Sequence, residues 1–198
     1  MWPRFRFNFE INMKDTLLII DVQKFFINKF TKDIPKKIAN FIESHKFDFV
    51  LFLKFVNSKN SGFVKYLNWR KMFSSPDTDI VPELKRFTTK RNIFEKTAFS
   101  AFKSKGFLQF LKENQIKRLY ICGFDTDGCV FSTAIEAFDL GFDVKVIQDL
   151  CASHHGKEYH KNAIKLLKRN AKNLIINSRK LNIVKGLKPD LSLYKKNN

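Results

Sequence analysis

Residues 118–147 read RLYICGFDTDGCVFSTAIEAFDLGFDVKVI, and this stretch decides the architecture. Residues 118–122 form a short, mostly apolar run of the kind that becomes a buried strand, and residues 123–128 form a tight polar loop. Residues 129–140 then carry helical periodicity that stops at Gly141, a residue able to adopt the left-handed conformation a helix C-terminus favours. The strand pattern resumes over residues 142–147. Strand, helix, strand in so short a span is the unit of a parallel sheet joined by right-handed crossovers.

Reading outward, the same alternation continues in both directions. On the N-terminal side, residues 16–20 (TLLII) are wholly apolar except for the leading Thr, as strands buried on both faces are. Residues 34–45 place Ile38, Phe41 and Ile42 at helical spacing, and residues 47–55 make a second buried run. Residues 56–87 mix Gly62, Pro76 and Pro82 with polar side chains, and are expected to form a surface excursion with one short helix at 66–72. A brief strand at 93–94 and a helix at 107–115 lead into the deciding stretch; a helix at 157–170 and a last strand at 173–176 follow it. The expectation is a three-layer α/β/α domain over residues 13–188, Rossmann-like, around a mainly parallel sheet of about six strands. Residues 1–12, where Phe5, Phe7, Phe9 and Ile11 alternate with polar residues, read as a loosely ordered extension, and residues 189–198 as a polar tail.

Composition narrows the function classes. The chain has 198 residues, 44% hydrophobic and 23 of them Phe, which excludes a disordered or collagen-like polymer. No apolar run approaches the roughly 20 residues of a membrane helix, and no secretory signal is visible, so three cysteines read as reduced thiols in a cytoplasmic protein. The net charge of +18 invites a nucleic-acid partner, but both halves of the chain carry the same excess, and 29 of the 37 cationic residues are Lys rather than the Arg that reads base edges. Phe, Lys, Ile and Asn, the abundant residues, all have A/T-rich codons, so genome composition accounts for the lysines. The cluster Lys157, Lys161, Lys165, Lys168, Arg169 and Lys172 reads as a solvated helix face. A nucleic-acid partner is therefore not expected; a small-molecule substrate is. A homo-oligomer remains open.

In a parallel α/β sheet the ligand lies beyond the carboxyl ends of the strands. The residues there are Asp21, the 55–57 segment, Glu95-Lys96, the 123–129 loop and Asp149 onward. Asp21, Lys96 and Cys129 are thus expected to approach one another: an acid, an ammonium and a thiol, the components of a nucleophilic site. A cation and a helix N-terminus beside Cys129 would lower its pKa from about 8.5. Asp21 could take the thiol proton and return it to a leaving amine.

These residues also carry a resemblance. The segments LLIIDVQ (17–23), EKTAFSAF (95–102), GFDTDGCV (123–130) and QDLCAS (148–153) resemble, in order and spacing, the isochorismatase-like cysteine hydrolases, a group that includes nicotinamidases and N-carbamoyl amino-acid amidohydrolases. The resemblance covers about residues 15–180. It implies a catalytic triad of Asp21, Lys96 and Cys129. It further implies a cis peptide at Phe124–Asp125 that turns the Asp125 amide toward an oxyanion beside the Cys129 amide. The implied activity is hydrolysis of an amide or carbamoyl C–N bond through a thioester, without a cofactor. Cleavage of another bond, such as the vinyl ether of isochorismate, is the rival enzymatic reading, and a basic nucleic-acid-binding protein on the same fold is the non-enzymatic one.

The chain departs from the group's pattern at one place. Nicotinamidases of this kind carry an Asp-x-His metal motif after the second strand, where this chain reads LKFVN (53–57), so no metal is expected. His154-His155 reads as a polar loop pair. Gln23 either contacts substrate or ends the strand; Phe26 and Trp69 either wall a pocket or fill the core. Thr126 is expected to bond the loop, and Cys122 and Cys151 to be inert core thiols.

Overall fold

A computed structural model of the chain describes residues 13–171 and 173–181. The extension at 1–12, residues 182–188 of the expected domain and the tail at 189–198 lie outside the described residues. Six strands form one sheet: β1 (Asp15–Ile20), β2 (Phe49–Phe55), β3 (Ile93–Lys96), β4 (Arg118–Gly123), β5 (Asp143–Cys151) and β6 (Ile175–Ile176). Every adjacent pair is parallel and the spatial order is β3-β2-β1-β4-β5-β6. Helices α1 (Ile34–Ser44), α2 (Gly62–Leu67), α3 (Pro82–Lys85), α4 (Phe107–Glu113), α5 (Phe131–Asp139) and α6 (Lys157–Asn170) flank it, giving a three-layer α/β/α architecture. Chain direction reverses its march across the sheet between β1 and β4, so the crevice beyond their carboxyl ends is the natural place for a ligand.

The elements form for reasons visible in their side chains. Leu17 to Ile20 sit in the middle of the sheet and are buried on both faces, which is why that run lacks polar alternation. Helix α1 buries Ile34, Ile38, Phe41 and Ile42 and presents Lys36, Lys37 and Asn40 to water. Helix α6 buries Ala163, Ile164 and Leu167 and leaves Lys157, Lys161, Lys165, Lys168 and Arg169 exposed, the solvated face expected of that cluster. Among the described residues, no helix is long and apolar enough to cross a membrane.

Several boundaries differ from expectation: β3 runs on to Lys96, β6 begins only at Ile175, and the excursion holds two short helices, α2 and α3, where one was expected. The first of them lies at Gly62–Leu67, not 66–72: the Ser61 hydroxyl caps it by accepting the Val64 N–H at 3.2 Å, and Asn68 ends it in a left-handed conformation (φ 50°). Strand β5 runs on to Cys151, past the expected end at 147, which draws Asp149 into the strand; its carboxylate accepts the Ser178 N–H at 2.8 Å. Residues 126–130 form a π-helical turn that runs directly into α5, so the region read as a polar loop followed by a helix is one continuous helical segment from Thr126 to Asp139.

The crossing from β1 to β4 is unusually close. Gly123 has φ +113°, and a Cβ placed there would lie 2.2 Å from the backbone oxygen of Ile20. That same oxygen accepts the Phe124 N–H at 2.8 Å. Glycine thus lets β1 and the loop that carries Cys129 meet backbone to backbone. Gly123→Ala is expected to lower unfolding free energy by about 3 kcal/mol or more, combining a strained φ with a backbone clash; a urea melt checks it, and a loss below 1 kcal/mol would mean that the two strands part easily.

Candidate active site

Asp21 follows β1 in a left-handed conformation (φ 50°), a region that Asp and Asn tolerate better than most residues. Its backbone is clamped: its N–H donates to Leu53 O at 2.9 Å, and its carbonyl accepts the Gln23 N–H at 2.8 Å. Its side chain is fully buried. Lys96 ends β3, two strands away, and its side chain spans the width of β2. All three of its ammonium protons find partners: Asp21 Oδ2 at 2.7 Å, Ala98 O at 2.9 Å and Cys129 Sγ at 3.3 Å. The Phe55 ring lies beneath the ammonium, 5.3 Å away. Asp21, Lys96 and Cys129 therefore converge, as the strand ends suggested.

Electrostatics at this spot differ from the simple expectation for the thiol. Burial and the Asp21 carboxylate push the Cys129 thiol up, and the opposing pull of Lys96 is the weaker influence. Lys96 is already neutralised by Asp21, so the lowered thiol pKa anticipated from an adjacent cation does not arise. Burial pushes Asp21 up against the pull of Lys96. For Lys96 burial alone would favour the neutral amine, but Asp21 and Cys129 outweigh it and hold the ammonium. Cys129 rests as a thiol beside a carboxylate of raised proton affinity, and Asp21 Oδ1 is buried without a hydrogen-bond partner, free to receive a proton.

The thiol faces a cavity of about 280 Å³ walled by Phe26, Phe55, Phe63, Leu67, Trp69 and Phe99, with Asp125, His154 and His155 as its polar members. Phe26 and Trp69 therefore wall the pocket. Gln23 does not. It is fully buried, its amide donates to Phe55 O at 2.8 Å and Thr78 O at 2.9 Å, and its carbonyl accepts the Phe55 N–H at 2.9 Å. With every polar atom committed, it is a structural tie between β2 and the excursion, and no group remains for substrate.

Two further expectations are corrected. The Phe124–Asp125 peptide is trans; among the described residues the cis bond is Ser75–Pro76. The Asp125 side chain, passed over in the sequence, turns instead to the segment that follows β5: its Oδ1 accepts the His154 N–H at 2.8 Å and its Oδ2 contacts His154 Nδ1. Reading His154-His155 as a polar loop pair does not foresee this partner, because only the fold brings the ends of β4 and β5 together. The signal available was positional, since both stretches follow strand ends. Phe55, Phe63 and Phe99 also join the pocket, indistinguishable in sequence from the core phenylalanines. Thr126 is buried and its hydroxyl pairs with His160 Nδ1 at 2.8 Å, a tie to α6 where a bond within the loop was expected. Cys122 and Cys151 are buried, and all three cysteines are free.

At the place of the nicotinamidase metal motif the residues do not fit a metal. Lys54 pairs with Glu95 at 3.0 Å, and the Asn57 amide is spent on the carbonyls of Trp69 and Lys71 and on Ser58 and Ser61.

The isochorismatase domain model matches residues 15–177. The chain belongs to the isochorismatase family. Among curated relatives it is 34% identical over 79 residues to isochorismatase family protein 2A of Dictyostelium discoideum, a match covering 39% of this chain and 38% of that protein. The match thus spans less than half the length of that relative. Its fold is that of a pyrazinamidase/nicotinamidase from Streptococcus mutans UA159 (TM-score 0.69, 22% identity, 82% of this chain and 100% of that one). It is also that of N-carbamoylsarcosine amidase from Thermoplasma acidophilum (TM-score 0.69, 17% identity, 86% and 99%).

Two outcomes test the electrostatics. Lys96→Met strands the Asp21 carboxylate in the interior, and is expected to cost about 3–5 kcal/mol at neutral pH. An isolated buried acid has a raised folded pKa, so that cost is present while Asp21 is ionised and shrinks as pH falls and it protonates; urea melts at pH 8 and pH 5 should differ in that sense. Separately, iodoacetamide labelling of Cys129, followed by peptide mass spectrometry, should accelerate across the alkaline range and not level off near neutrality.

Proposed function

We propose that this protein is a cysteine hydrolase that cleaves a C–N bond in a small amide or carbamoyl compound. The single observation carrying the reading is the ammonium of Lys96, which holds Asp21 Oδ2 at 2.7 Å and Cys129 Sγ at 3.3 Å at one wall of an aromatic-lined cavity. The similarity of the fold to a nicotinamidase and an N-carbamoylsarcosine amidase supports it.

Substrate enters with its carbonyl carbon over Sγ. As sulfur attacks, the thiol proton passes to Asp21, and the carbonyl oxygen becomes an oxyanion. The Cys129 N–H, in the opening turn of the helical segment 126–139, is the donor we assign to that oxygen; one such donor is worth about 2.7–4 kcal/mol. The tetrahedral adduct collapses, the C–N bond breaks, and Asp21 returns the proton to the departing amine. A thioester remains on Cys129. Water then attacks it, giving a proton to Asp21; collapse releases the carboxylic or carbamic acid and restores the thiol. Lys96 stays charged throughout, keeping the carboxylate oriented and limiting the negative charge that builds in an interior with little water. The unbridged cysteines agree with a reducing, cytoplasmic setting.

A screen of small primary amides and ureido acids for ammonia release tests the reading. For the best substrate, Cys129→Ala should reduce turnover to the uncatalysed level. Asp21→Asn, which keeps shape and tolerates the left-handed backbone, should lose about 10²–10⁴-fold in kcat. Acid-quenched wild type should carry the acyl group on Cys129 by mass spectrometry. Turnover that survives Cys129→Ala would exclude the thioester route and favour cleavage of another bond type.

A further inference from the structure

The cavity has a second chemical feature that the hydrolytic steps do not use. Asp125, His154 and His155 each offer one ligand atom, and these three atoms all lie within 4.8 Å of one another. Among the described residues this is the group of His, Cys, Asp or Glu side chains that meets that spacing. We propose that Asp125, His154 and His155 form a binding site for a divalent transition-metal ion of the zinc type, on the cavity wall that they share with Cys129.

The donor set suits such an ion. Two imidazoles and one carboxylate are the protein ligands of many catalytic zinc sites, which leave a further position for water or a substrate atom. Tetrahedral ligands about 2.0–2.1 Å from a zinc ion stand a little over 3 Å apart, within the reach of this group. A hard, all-oxygen ion such as magnesium would find only one carboxylate here.

The group is also held ready. The His154 N–H fixes Asp125 Oδ1 at 2.8 Å, so the carboxylate cannot swing away from the histidines. The His154 carbonyl accepts the Asn28 side-chain N–H at 2.7 Å, and the His155 N–H donates to the Ser153 hydroxyl at 3.2 Å. The carbonyl of Ala152, two residues before His154, accepts the Thr126 N–H at 3.0 Å, tying the end of β5 to the segment that bears Asp125. The Phe26 ring stands against His154 at 5.3 Å between centroids, and the two imidazoles lie 3.9 Å apart. Such outer supports are what ordinarily orient metal ligands.

Local charge favours a cation as well. Among the described residues no Lys or Arg lines this cavity, and the Lys96 ammonium behind Cys129 is already matched by Asp21. Asp125 is there, and Asp127, near enough to act on His154, has a buried Oδ1 without a hydrogen-bond partner. The site draws on the ends of β4 and β5, whereas the nicotinamidase motif follows β2, where this chain has no fitting ligands.

The inference does not rest on the hydrolase reading, and its test needs no turnover. Full-length protein stripped with a chelator is titrated with zinc alone against a chromophoric competitor. One zinc per chain is expected. His155→Ala, an exposed side chain whose loss leaves the fold intact by circular dichroism, should weaken binding about 100-fold or more, since even outer-shell losses cost 10–100-fold. Asp125→Asn should do the same, and Cys129→Ala should bind as wild type does. Cobalt in place of zinc should give visible d–d bands without a thiolate-to-cobalt band. No uptake, uptake indifferent to His155→Ala, or uptake abolished by Cys129→Ala would overturn the proposal.

Discussion

The structure turns on one ion pair with no access to water. Asp21 and Lys96 come from strands separated by β2, and each would destabilise the interior if left alone. Together, with Ala98 O and Cys129 Sγ completing the ammonium's partners, they fix three chain segments relative to one another. The pair also explains why Cys129 remains a thiol at rest. The cation that could have ionised it is already matched, and the base to which the proposed mechanism assigns its proton is the other half of the match. In that mechanism the same three atoms serve both the packing of the interior and the chemistry.

That arrangement depends on backbone proximity elsewhere. Gly123 lets the loop after β4 lie directly on the end of β1, and Gln23 ties β2 to the excursion through three hydrogen bonds. Neither touches substrate in the proposed mechanism. Both decide whether the carboxylate and the sulfur stay in register.

Much of this was legible in the sequence, for physical reasons. Leu17 to Ile20 and the 118–147 unit announce a parallel sheet because strands buried on both faces cannot alternate, and the strand-end rule then selects Asp21, Lys96 and Cys129 from a chain full of lysines. What stayed hidden was long-range geometry. Gln23 sits two residues past Asp21, and nothing local distinguishes a residue aimed at substrate from one consumed by Phe55 and Thr78. Asp125 and His154 are 29 residues apart, and their pairing follows only once β4 and β5 lie side by side. The short helix was misplaced because its start is set by the Ser61 cap, a polar signal, and not by the apolar spacing that suggested 66–72. The Phe124–Asp125 peptide, cis by the family resemblance, is trans here.

The excursion between β2 and α3 is folded around Asn57, whose amide meets Trp69, Lys71, Ser58 and Ser61, and it supplies Phe63, Leu67 and Trp69 to the cavity. None of these groups belongs to the ion pair or its thiol. The molecule thus keeps the ion pair with its thiol and half of its apolar wall on separately anchored pieces of chain. Exchanging residues 58–71 between relatives would redraw the shape that a guest molecule must match while leaving the ion pair and its thiol where they stand.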